Sequence, residues 1–121
     1  MTELNNGGCI FCKIAAGQIP SNKVFEDDDI LAFHDLHPVA PIHFLIVPKI
    51  HIENLYDGDM KHQAVLGKIL GMAGQLARLE GAMDGFRVVI NTGRVGRQEV
   101  YHLHCHVIGG PVPLGSGMNR Q

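Results

Sequence analysis

The sequence predicts an α+β fold: an antiparallel sheet of about five strands, one long helix and a short N-terminal helix. Three observations carry this expectation. Val24-Phe25-Glu26 and Ile30-Leu31-Ala32-Phe33-His34 flank the turn-forming Asp27-Asp28-Asp29, which reads as a β-hairpin. From Met60 to Leu79, Val65, Ile69, Met72, Leu76 and Leu79 recur at three- and four-residue steps, the stripe of an amphipathic helix. Tyr101-His102-Leu103-His104-Cys105-His106-Val107-Ile108-Gly109-Gly110 alternates polar and apolar residues, as a half-buried strand does.

In chain order, residues 1–8 read as a disordered leader and 9–121 as a single domain without repeats or linkers. Phe11 to Ala16 can form a short helix, closed by Gly17 and stopped by Pro20. After the hairpin, Leu36-His37-Pro38-Val39-Ala40-Pro41 is a loop because two prolines exclude regular structure. His43-Phe44-Leu45-Ile46-Val47-Pro48 is an apolar strand ended by proline, and His51 follows in a connection. Gly58-Asp59 signals the start of the long helix and Gly81 its end. Gly67, Gly71 and Gly74 weaken its propensity, so close packing on the sheet is expected to stabilise it. Phe86 to Asn91 is the next strand, rich in β-branched residues; Thr92 to Glu99 turns the chain, and the histidine strand returns antiparallel. Residues 111–117 read as irregular.

With 121 residues, the chain is long enough to bury a core without covalent staples. It has no apolar run of about 18 residues that could span a bilayer. The N-terminus lacks the basic start and apolar core of a signal peptide, which predicts a cytoplasmic protein. A formal charge of −2 without a Lys/Arg cluster argues against polymeric nucleic acid as a partner, but leaves a single nucleotide open. Of three cysteines, Cys9 and Cys12 form a C-x-x-C pair, half a metal site or a redox pair. It follows a Gly-Gly tail and not a strand, which favours metal. Cys105 reads as a small buried hydrophobe.

On a strand, His102, His104 and His106 share one face, and neighbouring members lie roughly 6.6 Å apart at Cα. Ordinary solvated faces use Lys, Glu, Thr or Ser, so this row reads as a site. Two imidazoles could converge on one metal ion. Alternatively, the middle one could attack phosphorus or an acyl carbon while its neighbours stabilise developing charge. The second option needs supporting groups. His43 could orient the nucleophilic ring, Asn91 and Gln98 offer amides, and Phe33-His34-Asp35-Leu36 sets a carboxylate among residues suited to a ribose diol and a base. Taken singly, Asn91 also reads as a turn residue, and His34 and Asp35 as polar groups at a hairpin end.

Together these residues resemble the histidine triad (HIT) superfamily. The triad stands as His102-Leu103-His104-Cys105-His106-Val107-Ile108, and the likeness extends to Cys9-Ile10-Phe11-Cys12-Lys13-Ile14, Ala32-Phe33-His34-Asp35-Leu36, Pro38 to Lys49 and Asn91-Thr92-Gly93. The branch most similar is Hint, whose members hydrolyse purine nucleoside phosphoramidates. The resemblance implies a HIT-like sheet and a homodimer with one sheet continued across two chains. It implies His104 as nucleophile, forming a nucleotidyl-histidine, with His43, His102 and His106 around it. Phe33, His34, Asp35 and Leu36 would hold base and ribose, and Asn91 would lie near the phosphate. In zinc-bearing members the matching set is Cys9, Cys12, His51 and His102; two sulfurs and two imidazoles close the coordination, which implies a structural ion and no catalytic cofactor. This chain departs from the family pattern at Arg97 (commonly glycine), Glu99 (often a small hydroxyl residue) and Pro111 (frequently arginine). The expected activity is hydrolysis of AMP phosphoramidates. Dinucleoside polyphosphate hydrolysis, nucleotidyl transfer, a nucleotide-binding or scaffold role, and metal-dependent hydrolysis by the triad are the alternatives.

Overall fold

The hairpin is set by one side chain. Asp27 Oδ1 accepts from the amides of Asp29 and Ile30 at 2.9 and 3.0 Å, a local turn that reverses β1 (Lys23–Glu26) into β2 (Ile30–His34). The computed structural model describes residues 8–117, so the expected leader lies outside the described residues except for Gly8. β3 (Ile42–Pro48), β4 (Arg87–Val89) and β5 (Cys105–Gly109) complete a five-stranded sheet of order β1-β2-β3-β5-β4, with every pair antiparallel.

The sheet is covered on both faces, which explains why β2 and β3 are nearly continuous apolar runs. On one face, Ile30, Ala32, Phe44, Ile46, Cys105 and Val107 pack against Ile69, Ala73, Leu76 and Ala77 of α2 (Gln63–Leu79). On the other, Leu31, Phe33, Leu45 and Val47 pack against α1 (Ile10–Ala15) through Phe11, Cys12 and Ile14. Lys68 of α2 pairs with Asp27 and Asp29, fastening the helix to the hairpin turn. Among the described residues, no helix is long and apolar enough to cross a membrane.

Several boundaries differ from the sequence expectation. Asp59 caps a 3-10 turn (Met60–His62), and the α-helix begins only at Gln63. Leu79 is 67% exposed and leaves the apolar stripe, whose place Ala73 and Ala77 take. Gly74 faces Phe86, but Gly67 and Gly71 meet open space, so close packing does not explain them. The strand expected at Phe86 to Asn91 pairs only over Arg87–Val89. The histidine strand pairs only from Cys105, because Leu103 instead donates its amide to Ile52 O at 2.7 Å. Both outer strands are short.

The turn before the triad is strained at one place. Arg97 has φ 63°, a left-handed conformation that β-carbon crowding makes unfavourable by about 1–2 kcal/mol. Beside it, Gly96 is obligatory, because a β-carbon there would lie 2.4 Å from Thr92 O. The Arg97→Gly variant is expected to gain about 1 kcal/mol in urea unfolding; an unchanged or lowered midpoint would count against this assignment of strain.

Candidate active site

β3 and β5 bring the imidazoles together. Leu45 is the cross-strand neighbour of His106, so His43 lies diagonally across from His106, within reach of an aromatic ring. By strand periodicity both side chains project to the α1 face. His43 Nε2 and His106 Nδ1 are 2.9 Å apart, and the His104 and His106 ring centroids 5.1 Å apart. β2 ends opposite β3 at His34, and the Asp35 amide continues the pairing to His43 O at 3.1 Å. This places Asp35 Oδ2 3.4 Å from His43 Nε2.

Backbone partners determine which nitrogen of each ring carries the proton. His104 Nδ1 lies 2.9 Å from His102 O; a carbonyl only accepts, so Nδ1 carries the hydrogen and Nε2 keeps its lone pair. The Val39 amide donates to His43 Nδ1 at 3.1 Å, so the His43 proton sits on Nε2 and points to His106 Nδ1. That leaves the His106 proton on Nε2. Neutral rings suit this chain. Burial pulls His106 down to about 4, helped by the neighbouring His104 and His43 and opposed by Asp35. Burial also lowers His43, again against Asp35.

A cavity of about 220 Å³ opens over this cluster, with Phe11, Ile14, Phe33 and Leu45 as apolar walls and Asp35, His104 and His106 as polar ones. Such a mixture fits a flat apolar base and a polar sugar phosphate. His34 and Leu36 also line it, but the His34 imidazole lies 3.3 Å from Glu80 at the end of α2. Leu36 is 88% exposed. Glu99 is exposed at the rim.

Two residues do not join this group. Gln98 is buried, its amide donating to Glu53 O and Val100 O and accepting from the Gly93 amide and Asn54 Nδ2. It ties the connection after β3 to the loop between β4 and β5 and does not line the cavity. Asn91 lies beyond β4 and is absent from the cavity lining. Conversely, Phe11 stands edge-on to His104, with ring centroids 5.1 Å apart and planes at 82°. The C-x-x-C spacing alone does not single it out, because Ile10, the other residue between the cysteines, is exposed.

Beside the triad, Cys9, Cys12, His51 and His102 bring one ligand atom each within 4.8 Å of one another. Cys9 Sγ and Cys12 Sγ lie 3.3 and 3.4 Å from His102 Nδ1, and Cys12 Sγ lies 3.2 Å from His51 Nδ1. Metal–ligand bonds of about 2.0–2.3 Å in a tetrahedron put ligand atoms about 3.3–3.8 Å apart, so the set fits. The protonation pattern fits as well: His102 Nε2 donates to Pro48 O at 2.8 Å, which leaves Nδ1 as the lone pair facing both sulfurs. Burial pulls His102 down to about 4, against the pull of that carbonyl, which keeps the ring a neutral ligand. A second cluster, Asp35, His43 and His106, fits a cation poorly, since the nitrogen His43 turns toward it carries the proton. Cys105 belongs to neither cluster. It is buried on the α2 face, and burial pushes its thiol up to about 11.

His106 has a consequence for stability. Its folded pKa lies below the unfolded value, so the unfolded state binds more protons between about 6.5 and 4 and stability falls as pH drops through that window. The carboxylates of Glu26 and Asp27, held down to about 2 chiefly by hydrogen bonds to lysines, lose their contribution only at lower pH. Urea unfolding between pH 7 and 4.5 is expected to show declining stability, with a shallower decline in His106→Asn; identical slopes would contradict the buried neutral ring.

Comparison with known proteins agrees with this arrangement. The HIT domain family profile matches residues 16–111. The purine nucleoside phosphoramidase of Escherichia coli K12 is 47% identical over 107 residues, covering 88% of this chain and 89% of that protein. A "14 kDa zinc-binding protein" of Brassica juncea is 46% identical over 103 residues, covering 84% of this chain and 91% of that protein. The crystal structure of a histidine triad protein from Clostridium difficile superposes with a TM-score of 0.86 at 46% identity, covering 93% and 98% of the two chains. The fold, the family match and these relatives together establish that the chain belongs to the histidine triad family, in its Hint-like branch.

Proposed function

We propose that this protein hydrolyses purine nucleoside 5′-phosphoramidates by double displacement on His104. The observation that carries the reading is the His104 Nδ1–H bond to His102 O, which leaves the Nε2 lone pair available as nucleophile in a cavity the ring itself lines. The relative named purine nucleoside phosphoramidase supports the substrate class. Asp35 would accept from the ribose hydroxyls, with Phe11, Phe33 and Leu45 against the base.

The reaction then runs in two steps. His104 Nε2 attacks phosphorus, the P–N bond of the substrate breaks, and the nitrogen takes up a proton and leaves as the amine. The His106 Nε2–H donates to a non-bridging oxygen, where negative charge grows in the transition state. Water next attacks phosphorus, the P–Nε2 bond breaks, the nucleoside monophosphate departs, and His104 recovers its lone pair.

Cys9, Cys12, His51 and His102 would hold a zinc ion, a reading supported by their spacing, the His102 tautomer and the zinc-binding relative. Four protein ligands leave no open position, so the ion would supply rigidity and not an activated water. The reading extends to a cytoplasmic homodimer with the sheet continued across two chains. The outer position of β4 and the exposed Leu70 and Leu79 on α2 support the dimer.

Steady-state hydrolysis of an AMP-amide tests the reading. His104→Ala is expected to lose roughly 10³-fold or more in kcat, while folding and binding a nucleoside monophosphate. A variant that keeps wild-type turnover would overturn the nucleophile assignment. Metal analysis should return one zinc per chain in the wild type and none in Cys12→Ser, which should also melt at a lower temperature. Wild-type protein refolded in excess zinc yet still metal-free would refute the zinc reading.

A further inference from the structure

The loop between β2 and β3 brings Asp35, Leu36 and His37 to the cavity, whereas the Val39 side chain contributes nothing there. Val39 is 73% exposed and chemically inert, and it stands between Pro38 and Pro41. Its backbone is another matter. The loop returns to the His43 residue at both ends: the Asp35 amide donates to His43 O at 3.1 Å and the Val39 amide to His43 Nδ1 at 3.1 Å. Between them, the His37 amide donates to Asp35 Oδ1 at 2.8 Å and closes the turn. Two prolines limit the backbone freedom of the segment. From below, Gly110 lies so close to Pro41 that a β-carbon there would approach its ring to 3.2 Å.

We infer that Val39, through its backbone amide, is a positioning residue that sets the direction of the proton chain His43→His106→phosphoryl oxygen. The inference rests on the phosphoramidase reading for its last link. A neutral imidazole has one hydrogen and two places for it. An N–H group can only donate, so while the Val39 amide faces Nδ1, the His43 hydrogen stays on Nε2. That hydrogen meets His106 Nδ1 at 2.9 Å, which forces the His106 hydrogen onto Nε2.

Without the amide, His43 can carry its hydrogen on Nδ1. Its Nε2 lone pair would then face His106, and His106 would answer by placing its hydrogen on Nδ1. A lone pair, and not a donor, would point to the phosphoryl oxygens. On each ring one N–H bond breaks and one forms as the hydrogen moves to the other nitrogen, and the net charge is unchanged. Asp35 Oδ2, at 3.4 Å from His43 Nε2, favours the same order but is too distant for a strong hydrogen bond.

Val39→Pro removes one N–H from the loop, while Val39→Ala keeps it. With an AMP-amide as substrate, Val39→Pro should lower kcat about 10–100-fold with KM little changed, the usual range for partners that orient a functional histidine. Val39→Ala should match the wild type. A purely structural role would instead lower the melting temperature and leave the kcat of the folded fraction intact, and that result overturns the proposal. Because a proline also constrains the loop backbone, ¹⁵N spectra of the wild-type imidazoles decide independently. The proposal requires His43 and His106 each to show an unprotonated Nδ1 and a protonated Nε2, and a protonated Nδ1 on His43 refutes it. These spectra need no substrate, so their failure is distinct from a failure of wild type to hydrolyse AMP-amides, which would count against the function itself.

Discussion

His102 is fully buried, and all its polar side-chain and carbonyl groups are engaged. Its Nε2–H meets Pro48 O, its Nδ1 faces two cysteine sulfurs, and its carbonyl receives the Nδ1–H of His104. Leu103, the next residue, donates its amide to Ile52. The segment entering β5 is therefore held from the end of β3, from α1 and from the following connection at once. A nucleophile must present its lone pair in one direction, and His104, the proposed nucleophile, takes its direction from the His102 carbonyl. Burying a polar ring is unfavourable unless it is satisfied, and the full set of partners is what allows an imidazole to occupy a core position.

The same logic divides the histidines by task. Each ring has one hydrogen, and each is assigned by a backbone group or by a ring already assigned. Burial lowers His102 and His106 to about 4 and lowers His43 as well, so these three rings stay neutral at neutral pH. The cluster proposed to hold zinc and the row proposed for catalysis share a sheet face and the short helix α1, yet their donor atoms do not compete. His102 turns its lone pair to the sulfurs, and His104 turns its own to the cavity. Phe11, carried between the two cysteines, packs edge-on against both rings.

Much of this was legible in the chain. Strict alternation through the triad correctly placed Leu103, Cys105 and Val107 in the core, and the Asp-rich turn and apolar β3 were read with the right boundaries to within a residue or two. Legibility ended where tertiary bonds replace local preference. The strand expected at His102 to His104 does not pair, because the connection after β3, and not a neighbouring strand, takes the Leu103 amide. Leu79 obeys helical spacing, but it lies off the face of α2 that buries Ala73, Leu76 and Ala77. Gln98 and Asn91 are suggested by polarity and nearness in sequence, and only the fold shows that Gln98 spends its amide on four backbone and side-chain partners. Val39 could not have been found at all, since its contribution is an amide that every non-proline residue has.

The central claim is that a histidine lone pair, and not water, makes the first attack on phosphorus. The most direct test is the stereochemical course at a phosphorus made chiral by isotopic or sulfur substitution in an AMP-amide. Two successive in-line displacements, first by His104 and then by water, predict net retention of configuration. Net inversion would mean a single direct attack by water and would contradict the account.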